Sequence, residues 1–313
     1  MKEVENHTAE VRNHIIRTLL YYDIFNYPLK SEEVFRFLGI NHVDHSFIVS
    51  QLNSLSGEKF IYRFGEFFTV QNNETNVIRR QKGNAEAERC LSIAQRQARL
   101  INRFPFVRAV MASGSLSKGY MDEKSDLDFF IVTHPGRLWI ARMLLVMYKR
   151  IFLFNSHKYF CVNYFVDTEH LEIEEKNMFT ATELATVIPL QGAEYYTKLH
   201  SQNPWLKNFF PNYISRPIDN VPPASSGWVK SFCEKLITAL GGAWLDKYFM
   251  NMTLGRWQKI YGGKYAQPDF QVAFKSKSYA SKNHPKHYQR KVTDIYQQKV
   301  DEFTQKMNKT AAA

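Results

Sequence analysis

Cysteine is scarce in this chain. Cys90, Cys161 and Cys233 are the only three in 313 residues, and no two stand at metal-ligand spacing. That argues against a zinc-type cluster or a disulfide framework and fits reduced thiols in a cytoplasmic protein. Long apolar runs are also missing. The opening residues, MKEVENHTAEVRNH, hold no apolar stretch of the kind a secretory signal needs. The most lipid-like segment, Leu138–Phe154, is broken by Arg142, Lys149 and Arg150 and is too short to span a bilayer. It reads as a buried helix, and no membrane partner is expected. Acidic residues are in deficit: 30 Asp and Glu against 41 Lys and Arg leave a net charge of +11. Such a balance favours anionic partners (nucleotides, sugar phosphates, nucleic acid or a membrane surface) without choosing among them.

The composition that remains is that of an ordinary folded protein. Hydrophobic residues make up 44% and charged residues 23%, which excludes a disordered chain. The length suits two or three domains, and 15% aromatics predict cores rich in Phe and Tyr.

The stretch with the most chemistry is Met111–Val132, MASGSLSKGYMDEKSDLDFFIV. An apolar run, Val107–Met111, delivers Gly114-Ser115. Ten residues later Asp126 and Asp128 open a second apolar run, Phe129–Val132. Residues two apart on a strand point to one face, so this spacing predicts two carboxylates side by side at a strand start. Like charges that close repel unless a cation separates them. Hard oxygen ligands suit Mg²⁺, which takes one or two carboxylates together with substrate phosphates. Gly114 lets backbone approach a ligand, and the N–H groups of such a turn hold phosphate oxygens. The bland alternative is an Asp-rich surface turn of an α/β domain.

This pattern resembles the signature of the nucleotidyltransferase superfamily, the DNA polymerase β-like fold. Four elements agree: the strand before Gly114-Ser115, the spacer, Ser125 ahead of the first Asp, and the apolar strand after. The likeness covers residues 104–170, about a fifth of the chain. It implies a β-turn-helix-β-α-β core, with Asp126 and Asp128 as catalytic metal ligands for Mg²⁺ or Mn²⁺. It also implies Gly114, Ser115, Lys118 and Ser125 as the nucleotide-binding residues and a nucleoside triphosphate as substrate. Family members usually carry a third carboxylate on the next strand, Tyr159–Val166. Here Asn163 stands in that place. An amide carries no charge and is a poor general base. Asp167 lies four residues further, roughly 13 Å along an extended strand, too far to replace it.

The remainder is organised around that core. In residues 11–70, Ile15, Ile16, Leu19 and Leu20 recur at helical spacing. Ser31 is an expected N-cap with Glu32 and Glu33 behind it, and Asp44 an expected cap for a third helix. Phe60–Arg63 and Phe67–Val70 then read as a hairpin around Gly65-Glu66. Three helices and a two-stranded wing resemble a winged helix-turn-helix. That makes residues 11–70 a candidate DNA contact, although the reading helix near His45–Leu55 has no Arg or Lys. The alternative is that this unit packs on the transferase domain or on another subunit.

The expected organisation is therefore α+β: a winged-helix-like domain over 1–72, a polar linker over 73–103 that is one long helix or two divided at Gly83-Asn84, a nucleotidyltransferase core over 104–170, and a helical C-terminal region with a basic tail over 171–313. Within the last, Trp205 is either a base-stacking platform or core. Val229–Leu254 carries the apolar spacing of packing stripes. The final 43 residues hold nine Lys/Arg and three Asp/Glu, hence +6. Lys275, Lys277, Lys282, His284, Lys286, His287 and Arg290 form the densest part, an anion clamp or a solvated basic face. The expected function is metal-dependent transfer of a nucleoside monophosphate to an acceptor, which is a small molecule, a protein or RNA. The alternative is a degenerate nucleotide-binding or DNA-binding regulatory protein.

Overall fold

The computed structural model describes residues 2–311 apart from 157, 225–226, 266–269, 272 and 284–287. It is a mixed α+β chain. The first unit comprises α1 (Lys2–Asp23), β1 (Leu29–Lys30), α2 (Ser31–Arg36), α3 (His45–Gly57), β2 (Tyr62–Phe64) and β3 (Phe67–Thr69). Its apolar positions at helical spacing close on one another: Ile15, Leu19, Leu38, Ile48, Leu52 and Leu55 are all buried. The strands form an antiparallel sheet in the order β1-β3-β2, with the hairpin turning at Gly65-Glu66. Ser31 is not the cap of α2. Leu29 and Lys30 pair with Phe68 and Phe67 as strand, so the helix begins at Ser31, and the Glu33 carboxylate accepts the Lys30 N–H at 2.8 Å.

The polar helix is unbroken. α4 runs from Thr75 to Asn102 straight through Gly83-Asn84, the one-helix alternative of the two the sequence allows. It is also no solvated connector. Ala87, Cys90, Ala94, Ala98 and Ile101 form a buried stripe against the main sheet. Small residues carry little hydrophobic signal, which hides this stripe in the sequence. Gly83 is what lets α4 come close, because a Cβ there would drive into the ring of Tyr120.

The main sheet follows in the order β4 (Val107–Ser113), a one-turn helix α5 (Gly114–Ser117), β5 (Asp128–Thr133), α6 (Leu138–Phe152) and β6 (Cys161–Asp167). β4 and β5 are antiparallel, and α6 is the crossover that makes β5 and β6 parallel. Residues 171–313 are not wholly helical. After α7 (Met178–Thr186), β7 (Ile188–Gln191) adds to β4; helices α8 (Ala193–Ser201), α9 (Leu206–Phe209), α10 (Trp228–Ala239) and α11 (Gly242–Tyr261) follow. Then β8 (Ser276–Lys277) and β9 (Ala280–Lys282) extend the sheet beyond β6, before α12 (Tyr288–Ala311). The completed order is β7-β4-β5-β6-β9-β8. Strands of two to four residues are too short to show alternation, and Pro189 is tolerated because β7 is an edge.

Both faces of this sheet are covered. Val110, Ala112, Phe129 and Ile131 meet α4, α6 and α11, whereas Ala109, Met111, Phe130 and Val132 belong to a core shared with α7, α12 and the N-terminal unit. α1 lies against α12, with Lys299 paired to Asp23 at 2.7 Å and Tyr21 edge-on to Tyr296. Trp205 is core, its indole N–H bonded to Asn203 at 2.9 Å. The basic segment is not a free clamp. Lys275 pairs with Glu174 (3.1 Å) and Glu175 (3.2 Å), and Lys277 with Glu174 (2.7 Å). Lys282 is buried against Tyr164 and Gln289. His284, Lys286 and His287 lie outside the described residues.

Replacing Gly by Ala inside a helix normally stabilises by about 1 kcal/mol. Gly83→Ala is expected to do the reverse, lowering the unfolding free energy by about 1–3 kcal/mol through overpacking against Tyr120. Gly255→Ala, where a Cβ meets open space, should follow the ordinary sign; urea unfolding of the two variants checks the pair.

Candidate functional site

Asp128 stands where three strand ends meet. It opens β5, opposite Ser113 at the end of β4 and Cys161 at the start of β6. The strand starts one turn of the pleat later than expected: Asp126 lies ahead of β5, not in it. Extended pairing nevertheless reaches Leu127, whose N–H bonds to Lys158 O (2.9 Å) and whose carbonyl accepts from Cys161 (3.0 Å). Leu127 is buried while Asp126 and Asp128 on either side are only half-buried. The two carboxylates therefore share a side, as their spacing predicts.

Gly114 is bound to that arrangement by sterics. Its φ is +63°, a region L side chains rarely adopt, and a Cβ on it would drive into the Asp128 carboxylate. Asn163 reaches the same carboxylate from β6. The register runs Asp128 with Cys161, Phe129 with Val162, then Phe130 with Tyr164, so Asn163 is the extra residue of a bulge. Bulges re-aim side chains, and this one places Asn163 Nδ2 2.8 Å from Asp128 Oδ1. Behind Asn163, its carbonyl accepts the Asn283 N–H (2.9 Å), and the Asn283 Oδ1 is buried with no hydrogen-bond partner among the described residues.

Burial pushes the Asp128 carboxyl up to about 6. A hydrogen bond from the Cys161 thiol and the charge of Lys118 oppose the rise, while the charges of Glu183 and Asp126 add to it. Cys161 is raised by burial and by Asp128, so it sits there as a protonated donor. Lys149, reaching in from α6, feels Cys161 and Asp126; burial lowers its pKa. Neither Asp126 nor Asp128 has an ion-pair partner among the described residues.

The nucleotide-binding residues expected from the sequence are only partly gathered here. Lys118 is engaged by protein: its ammonium bridges Gly114 O (3.0 Å) and Glu183 Oε1 (2.6 Å). Ser115 sits half-buried in α5, its carbonyl taken by the N–H groups of Lys118 and Tyr120. Ser125 does not face the acids as a ligand. Its hydroxyl donates to Asp122 (2.7 Å) and locks the 122–125 turn, which Lys158 also clasps through Glu123 O (2.6 Å). Behind α5 a cavity of about 620 Å³ opens toward the N-terminal unit, lined by Ser117, Lys118, Arg36, Arg80 and Arg216 among others. The acids do not line it.

No family model, curated protein or solved structure matches the chain. The site must therefore be argued from its own groups. Among the described residues, no three His, Cys, Asp or Glu side chains are grouped so as to hold a metal ion unaided. Sequence reasoning missed Glu183, Lys149, Cys161 and Asn283. Glu183 and Lys149 come from helices with no local mark of a site. Cys161, two before Asn163 on the same strand, was legible from the period of the strand alone.

Gly114→Ala is expected to cost about 2–4 kcal/mol, part from the left-handed backbone and part from overlap with the carboxylate. In a double-mutant cycle with Asp128→Ala, the overlap part should vanish, leaving a coupling of about 1–3 kcal/mol. Urea unfolding of the four proteins measures it.

Proposed function

We propose that this chain is a metal-dependent nucleotidyltransferase, built on a polymerase β-like core, that moves a nucleoside monophosphate from a nucleoside triphosphate to an acceptor hydroxyl. One observation carries the reading. Asp128 opens a strand against the backbone of Gly114, Asp126 stands two residues before it, and neither has an ion-pair partner among the described residues. Two adjacent hard carboxylates with no ion pair among the described residues suit Mg²⁺ or Mn²⁺. Asp126 and Asp128 would hold such a cation, which would supply charge neutralisation for phosphoryl transfer.

The chain's own residues do the rest. Gly114 keeps the approach to Asp128 clear of a side chain. Ser115 offers a hydroxyl on the same turn. Asn163 and Cys161 both donate toward Asp128 and hold its orientation, so Asn163 acts in positioning and not as a base. No acid stands at the Asn163 position of β6; Glu183 of α7, paired with Lys118, is the further acid whose field acts on Asp128. Lys118 tethers Glu183 to Gly114 O and thereby ties α7 to the phosphate-facing turn. The acceptor is a small molecule, a protein side chain or an RNA end.

The neutral Asn163 favours a second reading, a site that binds a nucleotide without turning it over. DNA reading by α3 has less support, since Asn53 on its outer face is taken by Arg63 of the wing (3.0 Å) and the helix brings no cation of its own.

Asp126→Asn combined with Asp128→Asn is expected to abolish Mg²⁺-dependent binding of nucleoside triphosphates, and unchanged affinity by calorimetry would sink the assignment. Incubation of the wild-type chain with each labelled nucleoside triphosphate, Mg²⁺ or Mn²⁺ and cell extract separates the readings: label transfer with pyrophosphate release marks the transferase, binding without transfer the degenerate site.

A further inference from the structure

We propose that the outer face of α10 and α11 docks on an anionic lipid bilayer. α10 is built inside out. Lys230 and Glu234, four residues apart, point inward. The buried Lys230 ammonium bonds to the carbonyls of Asn102 (2.8 Å) and Val107 (2.5 Å), and Glu234 takes the Phe106 N–H (2.6 Å) and both arms of Arg108 (2.8 and 2.9 Å). The helix is thus fastened by its charges, and its apolar residues are left outside. Trp228, Phe232, Leu236 and Leu240 follow one another at four-residue spacing and are 81, 61, 48 and 68% exposed.

α11 repeats the design after the turn at Gly241. Asp246 is buried and accepts the Ile140 N–H (2.9 Å). Trp244, Tyr248 and Met252 face out, 67, 50 and 43% exposed, with Trp244 stacked on Tyr248. Ile237, Leu245 and Phe249 pack on the core, whereas the outward residues stay exposed among the described residues. Large apolar side chains exposed together on two consecutive helices mark an interaction site.

Charge decides what covers it. Glu234 and Asp246 are the only acids in residues 228–261, and both are turned inward. The charges left exposed on the two helices, Lys235, Lys247, Arg256 and Lys259, are all cations. A second copy of the same face would bring like charges together, whereas an anionic surface complements them. Trp and Tyr suit the headgroup level of a bilayer, where one end of the ring is apolar and the other wet. None of the described helices is long and apolar enough to cross a membrane, so the helices lie in the interface plane.

Flotation of the full chain with vesicles tests this. The protein should rise with vesicles containing phosphatidylglycerol and much less with pure phosphatidylcholine, with a blue shift of tryptophan emission and release by salt. Phe232→Ala with Trp244→Ala should weaken partitioning by roughly tenfold or more. Lys235→Glu with Lys247→Glu should weaken it by at least about fivefold for each charge removed. Both pairs should keep the wild-type thermal unfolding, since their side chains point outward. Failure to float with anionic vesicles, or flotation that neither pair of substitutions reduces, overturns the proposal. So does a dimer by sedimentation equilibrium that Trp244→Ala dissociates while vesicle binding is absent, because a second copy would then be the cover.

Discussion

A carboxylate crowded by its own backbone sets the terms for the centre of this molecule. Asp128 lies against Gly114 Cα, between the end of β4 and the start of β6, and its charge is partly removed from water. Several neighbours make sense only in relation to it. Gly114 has to lack a side chain, the bulge in β6 has to exist for Asn163 to arrive, and Cys161 has to stay protonated to donate. A buried charge without a counter-ion is costly for a fold. The chain keeps Asp126 beside Asp128 and adds the field of Glu183, like charges whose repulsion a cation would relieve.

The surroundings hold that turn in place from the far side. α5 is stitched to α7 by Ser117 and Thr186 (3.2 Å) and to the segment after α9 by Arg216, which donates to Ser117 O (3.1 Å). Tyr27 of the N-terminal unit donates to Lys118 O (3.0 Å). Arg80, almost fully buried on α4, pairs with Glu33 (2.7 Å) and lies over the rings of Tyr27 and Phe67. The N-terminal unit is therefore continuous with the wall behind the candidate site. Its three helices and hairpin have a docking role within the chain whatever else they contact. The buried side of α3, with Ile48, Leu52 and Leu55, belongs to that shared core.

Much of the central sheet could be read from local pattern. Val107–Met111 and Phe129–Val132 are apolar runs of strand length, and the Gly-Ser and Asp-x-Asp groups sit at their ends. Asn163 stands out in the sequence because the resembled family carries its third carboxylate at that place on the strand. Its bulge was not legible, since nothing in Cys161–Val166 announces an extra residue. The turn that Ser125 closes on Asp122 was not legible for a related reason: a Ser before an Asp looks the same whether it faces a ligand or closes a turn. Lys275 and Lys277 read as free charge because Glu174 and Glu175, their partners, lie a hundred residues earlier.

What the sequence determined by itself is what neighbours along the chain can decide: the helices with strong apolar period, the wing hairpin, the core strands, and the pairing of a glycine turn with two acids. Only tertiary structure decided the rest. It brought Glu183 and Lys149 to the acids, turned residues 188–191 and 276–282 into sheet edges, and packed the Ala-rich stripe of α4. It also left the apolar face of α10 outside, fastened inward by Lys230 and Glu234. The physical reason is common to all of these. Hydropathy along a chain says how apolar or charged a face is; what lies opposite that face is set by contacts between distant segments, which local spacing does not encode.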